Sequence, residues 1–164
     1  MTTARFGERT TFAVEVGGPA TPGLRTVDLW LANKRLTVSD NAAYLPSLST
    51  YMQADAHRVR EGDIAPCPFP GYEPGAVFRL LHANETKFRE QFWFMRWTEI
   101  TDNVSTYAYL DGDLVIVFEF WRKDHSFPEE LGKAFSARLP PESFVGIVEE
   151  ATSMLDADST RNPR

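Results

Sequence analysis

Five carboxylates, Glu99, Asp102, Asp111, Asp113 and Glu119, fall in the stretch 98–121, which contains no Lys or Arg. Two acids held close together can act as general acid and base, or bind a divalent cation. The spacing argues against both uses. Asp102 and Asp111 belong to turns at opposite ends of one strand, so they do not share a proton. Asp111 and Asp113 flank Gly112, where turn-forming residues are expected on conformational grounds alone. The histidines, His57, His82 and His125, stand apart from one another and from any second ligand at metal spacing. His57 follows Asp55 by two residues, which separates them around a helix, and each histidine is expected at the surface or in a cap. Cys67, between Pro66 and Pro68, has no helix N-terminus behind it to stabilise a thiolate, and reads as a structural thiol. Gly17, Gly18 and Gly23 follow a strand but lead into another strand, so no helix end is available to hold a phosphate. No serine sits in a nucleophile elbow. The sequence thus assigns no catalytic residue, no metal ligand and no cofactor, and the chain is expected not to be an enzyme.

The elements that position these residues follow from hydrophobic periodicity. Residues 11–16 alternate, with Phe12, Val14 and Val16 on one side, and predict a half-buried strand. The glycines and prolines of 17–23 break the chain. A second strand at 26–32 carries Val27, Leu29 and Leu31 inward, forming an antiparallel hairpin with the first. Asn33-Lys34 turns into a third short segment at 36–38. Pro46 suits a first helical turn, and Leu45, Leu48, Met52, Ala56 and Val59 predict an amphipathic helix that stops before Gly62. A stiff Pro-rich loop at 62–75 is anchored by Cys67, Phe69 and Tyr72. A second helix is expected over 76–89, burying Val77, Leu80, Leu81 and Phe88. Strands at 91–99, 104–110 and 113–121 follow at hairpin spacing, the last two joined by Asp111-Gly112, a strong hairpin signal. A further strand near 134–139 completes a four-stranded meander, and a closing helix over 141–155 buries Phe144, Ile147, Val148, Ala151 and Leu155. Residues 156–164 read as a frayed polar tail. Segregated strands and helices predict one α+β domain over 1–164, with an antiparallel sheet and about three helices.

Composition bounds the function. The chain is 43% hydrophobic and 24% charged, ordinary for a globular protein, and its 164 residues suffice for one core. The net charge of -6 opposes binding to nucleic acid, which needs Lys and Arg to neutralise phosphates. It suits solubility, or a basic protein partner. A lone cysteine allows no internal disulfide, residues 1–7 lack an apolar leader core, and no apolar run reaches the length of a membrane span. A cytoplasmic protein is expected.

Aromatics make up 13% of the chain and concentrate in the meander. One sheet face must pack on the helices, which leaves the other too aromatic for plain solvent unless a loop or helix covers it. If it is open, Glu99, Asp102, Asp111 and Asp113 form an acidic rim, with Trp97, Tyr107 or Tyr109 as apolar anchors for a partner. The acidic last helix, with Glu142, Glu149, Glu150 and Asp156, is the next candidate. The competing class is a small-molecule-binding or enzymatic α+β domain enclosing an aromatic pocket. A third is a secretion chaperone.

The order of segments carries a resemblance. Phe6-Gly7, Phe12-Ala13-Val14-Glu15 and Val27-Asp28-Leu29-Trp30-Leu31 before a short polar turn resemble the immunity proteins of bacterial polymorphic-toxin and contact-dependent inhibition systems, nearest the forty-second immunity family. Tyr109-Leu110-Asp111 and Val117-Phe118-Glu119-Phe120, followed by a closing helix, are similar in arrangement. Residues 40–46 and the Pro-rich loop lie outside the resemblance. It implies a cytoplasmic antitoxin that binds a cognate toxin domain delivered by neighbouring cells and blocks its active site or its access to target.

Overall fold

The computed structural model describes residues 2–21 and 23–160. Among these residues, two antiparallel sheets and three α-helices form an α+β fold. The first sheet contains β1 (Thr2–Glu8), β2 (Phe12–Thr21), β3 (Leu24–Leu31), the two-residue β4 (Lys34–Arg35) and β5 (Ala42–Tyr44). The expected hairpin is its centre, with Val14 opposite Leu29 and Phe12 opposite Leu31. The strand β1, too short of apolar alternation to announce itself, adds to the outer edge of β2.

Three local expectations need correction. The Gly-Gly-Pro run does not end β2; the strand continues through it with register shifts, while the buried Arg25 guanidinium donates to the Gly17 carbonyl at 2.6 and 3.0 Å. The turn after β3 is Ala32-Asn33, both at positive φ (49° and 65°), the primed geometry that fits strand twist. It places β4 at 34–35, and Leu36 drops into the core instead of extending a strand at 36–38.

The helix α1 (Leu45–Arg60) begins with Pro46 in its first turn and buries the expected stripe. The helix α2 (Pro74–Ala83) stops earlier than predicted, at Asn84, and a 3-10 turn over Lys87–Phe92 replaces its last part. Val77 and Leu81 are buried with Phe78, whereas Leu80 and Phe88 face solvent. The predicted strand at 91–99 is absent. Trp93 makes a single bridge to Tyr107, Met95 takes φ +54°, and a second 3-10 turn covers Glu99–Thr101. The meander therefore has three strands, β6 (Val104–Asp111), β7 (Asp113–Phe120) and β8 (Phe135–Leu139). The helix α3 (Pro141–Thr160) continues past Leu155 through part of the expected tail; residues 161–164 lie outside the described residues.

Both faces of the meander are covered. Leu114, Ile116, Phe118 and Phe120 join the main core, where Phe144 of α3 stacks on Phe12 at 4.9 Å. Val115, Val117, Tyr107 and Tyr109 join a second cluster closed by Val77, Phe78 and Leu81 of α2, with Cys67 and Phe69 of the Pro-rich loop packed against it. The aromatic face is thus lidded by the chain itself. At ~25 cal/mol per Å², burying such rings is the dominant local stabilisation. No helix among the described residues is long and apolar enough to cross a membrane.

Candidate functional site

The lid over the second face decides what the expected anchors do. Trp97, Tyr107 and Tyr109 are 2%, 2% and 1% exposed, so they are core residues and offer no surface to a partner. The aromatic walls that an enclosed ligand pocket would need are packed against one another. Burial pushes the Tyr109 hydroxyl up to about 12, with Cys67 and Asp111 adding to the shift.

The four rim acids divide into two pairs. Glu99 and Asp102 are exposed at the start of β6, in and beside the second 3-10 turn, where the Thr98 side chain accepts from the Ile100 N–H. Asp111 and Asp113 face each other across Gly112 at the far end of β6, roughly 20 Å or more away at ~3.4 Å per strand residue. Asp111 there accepts from Arg138, at 2.8 Å on its carbonyl and 3.2 Å on its carboxylate. One surface does not hold all four.

Glu99 and Asp102 instead border a groove of about 800 Å³ that sequence reasoning missed. Tyr44, at the N-cap of α1, and Tyr51, on its second turn, line it. Trp121, just past β7, and Ser105 of β6 line it too. These three aromatics are 53%, 51% and 54% exposed, among the most exposed large apolar side chains in the chain. The available signal was the spacing Tyr44, Ser47, Tyr51, three and four residues apart on one helix face, next to the stripe that packs inward.

Trp97 of the groove lining is held in place by α1. The buried Asp55 carboxylate of α1 accepts the Met95 N–H at 2.9 Å and the Trp97 indole N–H at 2.7 Å, and pairs with Arg58 at 3.1 Å. Burial raises its pKa above the ordinary value against the opposing pull of these donors. Arg58 also donates to the carbonyl of Trp93 at 2.9 Å. Arg96 lies 4.8 Å over the Trp93 ring and 5.5 Å over Tyr107.

The long β7–β8 loop, which starts at Trp121, is pinned by His125. Unlike the exposed His57 and His82, His125 is buried, which corrects the expectation of a surface or cap role. Its ring stacks on Phe120 at 4.1 Å and its Nε2 meets Glu130 at 2.7 Å. Lys34 of β4 reaches the other Glu130 oxygen at 2.8 Å. Burial pushes the Glu130 carboxyl up, but the hydrogen bonds and charges of Lys34 and His125 outweigh it and hold the group below its ordinary value. An ionised carboxylate only accepts, so His125 Nε2 carries a proton. Among the described residues no group of three or more His, Cys, Asp or Glu side chains could hold a metal ion.

Comparison with known proteins finds no family model that matches this chain, and no curated protein or solved structure significantly similar to it.

Proposed function

We propose that this chain is an immunity protein that works by binding: it engages a cognate toxin domain in the cytoplasm, blocks it, and performs no reaction of its own. The observation that carries the binding part of the reading is the groove beside α1, where Tyr44, Tyr51 and Trp121 stand half exposed around two solvated carboxylates. Exposed aromatic clusters with a polar rim are the composition of interaction surfaces, and they are expensive to leave in water. The toxin part rests on the segment order 6–31 and 109–120 described above. The lining residue Trp97, tied to Asp55, suits a surface that must meet its partner without reordering. The test is co-expression. The chain should restore growth to cells expressing the toxin encoded beside its gene, and a pull-down from the native bacterium should recover that toxin. Growth arrest that the chain does not relieve, with no toxin domain recovered, sinks the reading.

A further inference from the structure

The groove's charged groups are unevenly placed. Its lining holds two carboxylates, Glu99 and Asp102, with serine and threonine hydroxyls that both donate and accept, and its apolar part is mainly aromatic, with Val104 beside Tyr44, Tyr51, Trp97 and Trp121. The one lining cation among the described residues, Arg96, is directed onto Trp93 and Tyr107 and reaches the Thr106 carbonyl at 3.5 Å. The half-exposed and exposed tryptophans each carry a guanidinium of the chain: Arg9 lies 4.0 Å over Trp30, Arg96 4.8 Å over Trp93 and, within the groove lining itself, Arg122 5.6 Å over Trp121. Among the described residues no cation of the chain covers Tyr44 or Tyr51.

Building on the binding role proposed above, we infer that the occupant of this groove is an arginine-bearing segment of the protein partner. The guanidinium stacks over Tyr44 and Tyr51 and donates to Glu99 and Asp102. A planar guanidinium suits the site better than an ammonium, because it stacks on rings and presents several donors in a fixed fork. The chain's net charge of -6 adds steering for a basic partner.

The probe is a blocked six-residue peptide with two arginines, compared with the same peptide carrying the uncharged isostere citrulline. Binding is followed by NMR of the full chain. The arginine peptide should shift resonances of Tyr51, Trp121 and residues 98–105, and the effect should weaken with added salt. Tyr51→Leu should lower its affinity about threefold through the lost ring. The Glu99→Gln/Asp102→Asn pair should lower it about fivefold, as for exposed ion pairs. These residues are exposed, so the variants fold. Equal binding of the citrulline peptide, or shifts confined to other surfaces, overturns the inference. A chain that ignores the arginine peptide yet rescues growth from the toxin overturns this inference alone. A chain that binds the peptide in the groove but gives no rescue supports the groove chemistry and overturns the immunity reading.

Discussion

Asp55 and Trp97 meet at 2.7 Å across 42 residues of chain, and this one bond explains why an alternating segment is not a strand. A strand at 91–99 would present the Met95 N–H and the Trp97 indole to a neighbouring strand or to water. Instead both point into α1, where a single buried carboxylate accepts them together. Asp55→Ala leaves two buried donors without their acceptor and removes the carboxylate paired with Arg58, and we expect it to lower stability by about 3 kcal/mol. Asp55→Asn retains one acceptor oxygen and should lose about 1–2 kcal/mol. Urea unfolding followed by tryptophan fluorescence measures both. A loss below ~0.5 kcal/mol in the alanine variant, the range of ordinary surface changes, would remove Asp55 from this role.

The same interaction marks how far the sequence could be read. Period-two and period-3.6 patterns located the central hairpin, α1, the β6–β7 turn and the closing helix, because in each of these local pattern and burial agree. Where they disagreed, a distant polar group decided the matter. The run from Phe92 to Trp97 alternates as a strand does, yet Phe92 joins one cluster while Phe94, Met95 and Trp97 join the other. No local rule reveals Asp55 as its partner. The aromatic meander was legible as needing a cover, but not that α2 and Cys67 supply it, since the contact spans a Pro-rich loop. The groove was hidden for a related reason: Tyr44 and Tyr51 lie beside a buried stripe, and only the packed structure shows which neighbours stay in water.

Asp55 and Glu130 respond to pH with opposite signs. Glu130 has its folded pKa held below the ordinary 4.5, so its contribution is complete above that value and is lost as pH falls through the folded pKa. Asp55 has its folded pKa above the ordinary 3.8, so its linked contribution is present below 3.8 and is lost as pH rises through the folded value. The stability difference between the native chain and Glu130→Gln should therefore shrink on acidification. The difference between the native chain and Asp55→Asn should grow over the same change. Urea midpoints at a series of acidic pH values give both curves, and parallel curves would contradict the assignment.

Gly7 is fixed by its surroundings more than by its turn. It lies in β1 at φ +88°, and an added Cβ would sit 2.2 Å from the Phe12 carbonyl oxygen and 2.8 Å from Ile147 Cδ1. Gly112, at the β6–β7 turn, also has a positive φ, of +74°, but nothing lies within 4 Å. Gly112→Ala should lower stability by about 1 kcal/mol, the backbone penalty alone. Gly7→Ala adds a clash with backbone and with the closing helix, and should lose about 3 kcal/mol or fail to fold. Thermal unfolding of the pair checks the difference. Equal losses would mean that β1 can move away from α3.

The two acid pairs give the sharpest separation between the surface expected from sequence and the one the fold presents. If the groove is the contact surface, Glu99→Gln with Asp102→Asn should slow association with the purified toxin domain and flatten its salt dependence, because rim charges act mainly on encounter. Trp121→Ala should act on dissociation and weaken binding by about 2 kcal/mol, as a partly desolvated aromatic anchor does. Asp111→Asn with Asp113→Asn, at the far turn, should leave both rates unchanged. None of these exposed or half-exposed positions lies in the core, so each variant should keep its stability to within ~0.5 kcal/mol, apart from the Asp111 contact with Arg138. Surface-plasmon kinetics at two salt concentrations distinguish the outcomes. A slowed association in the Asp111 and Asp113 variant, with the groove variants unchanged, would move the interface to the hairpin turn and leave Tyr44, Tyr51 and Trp121 without a role in binding.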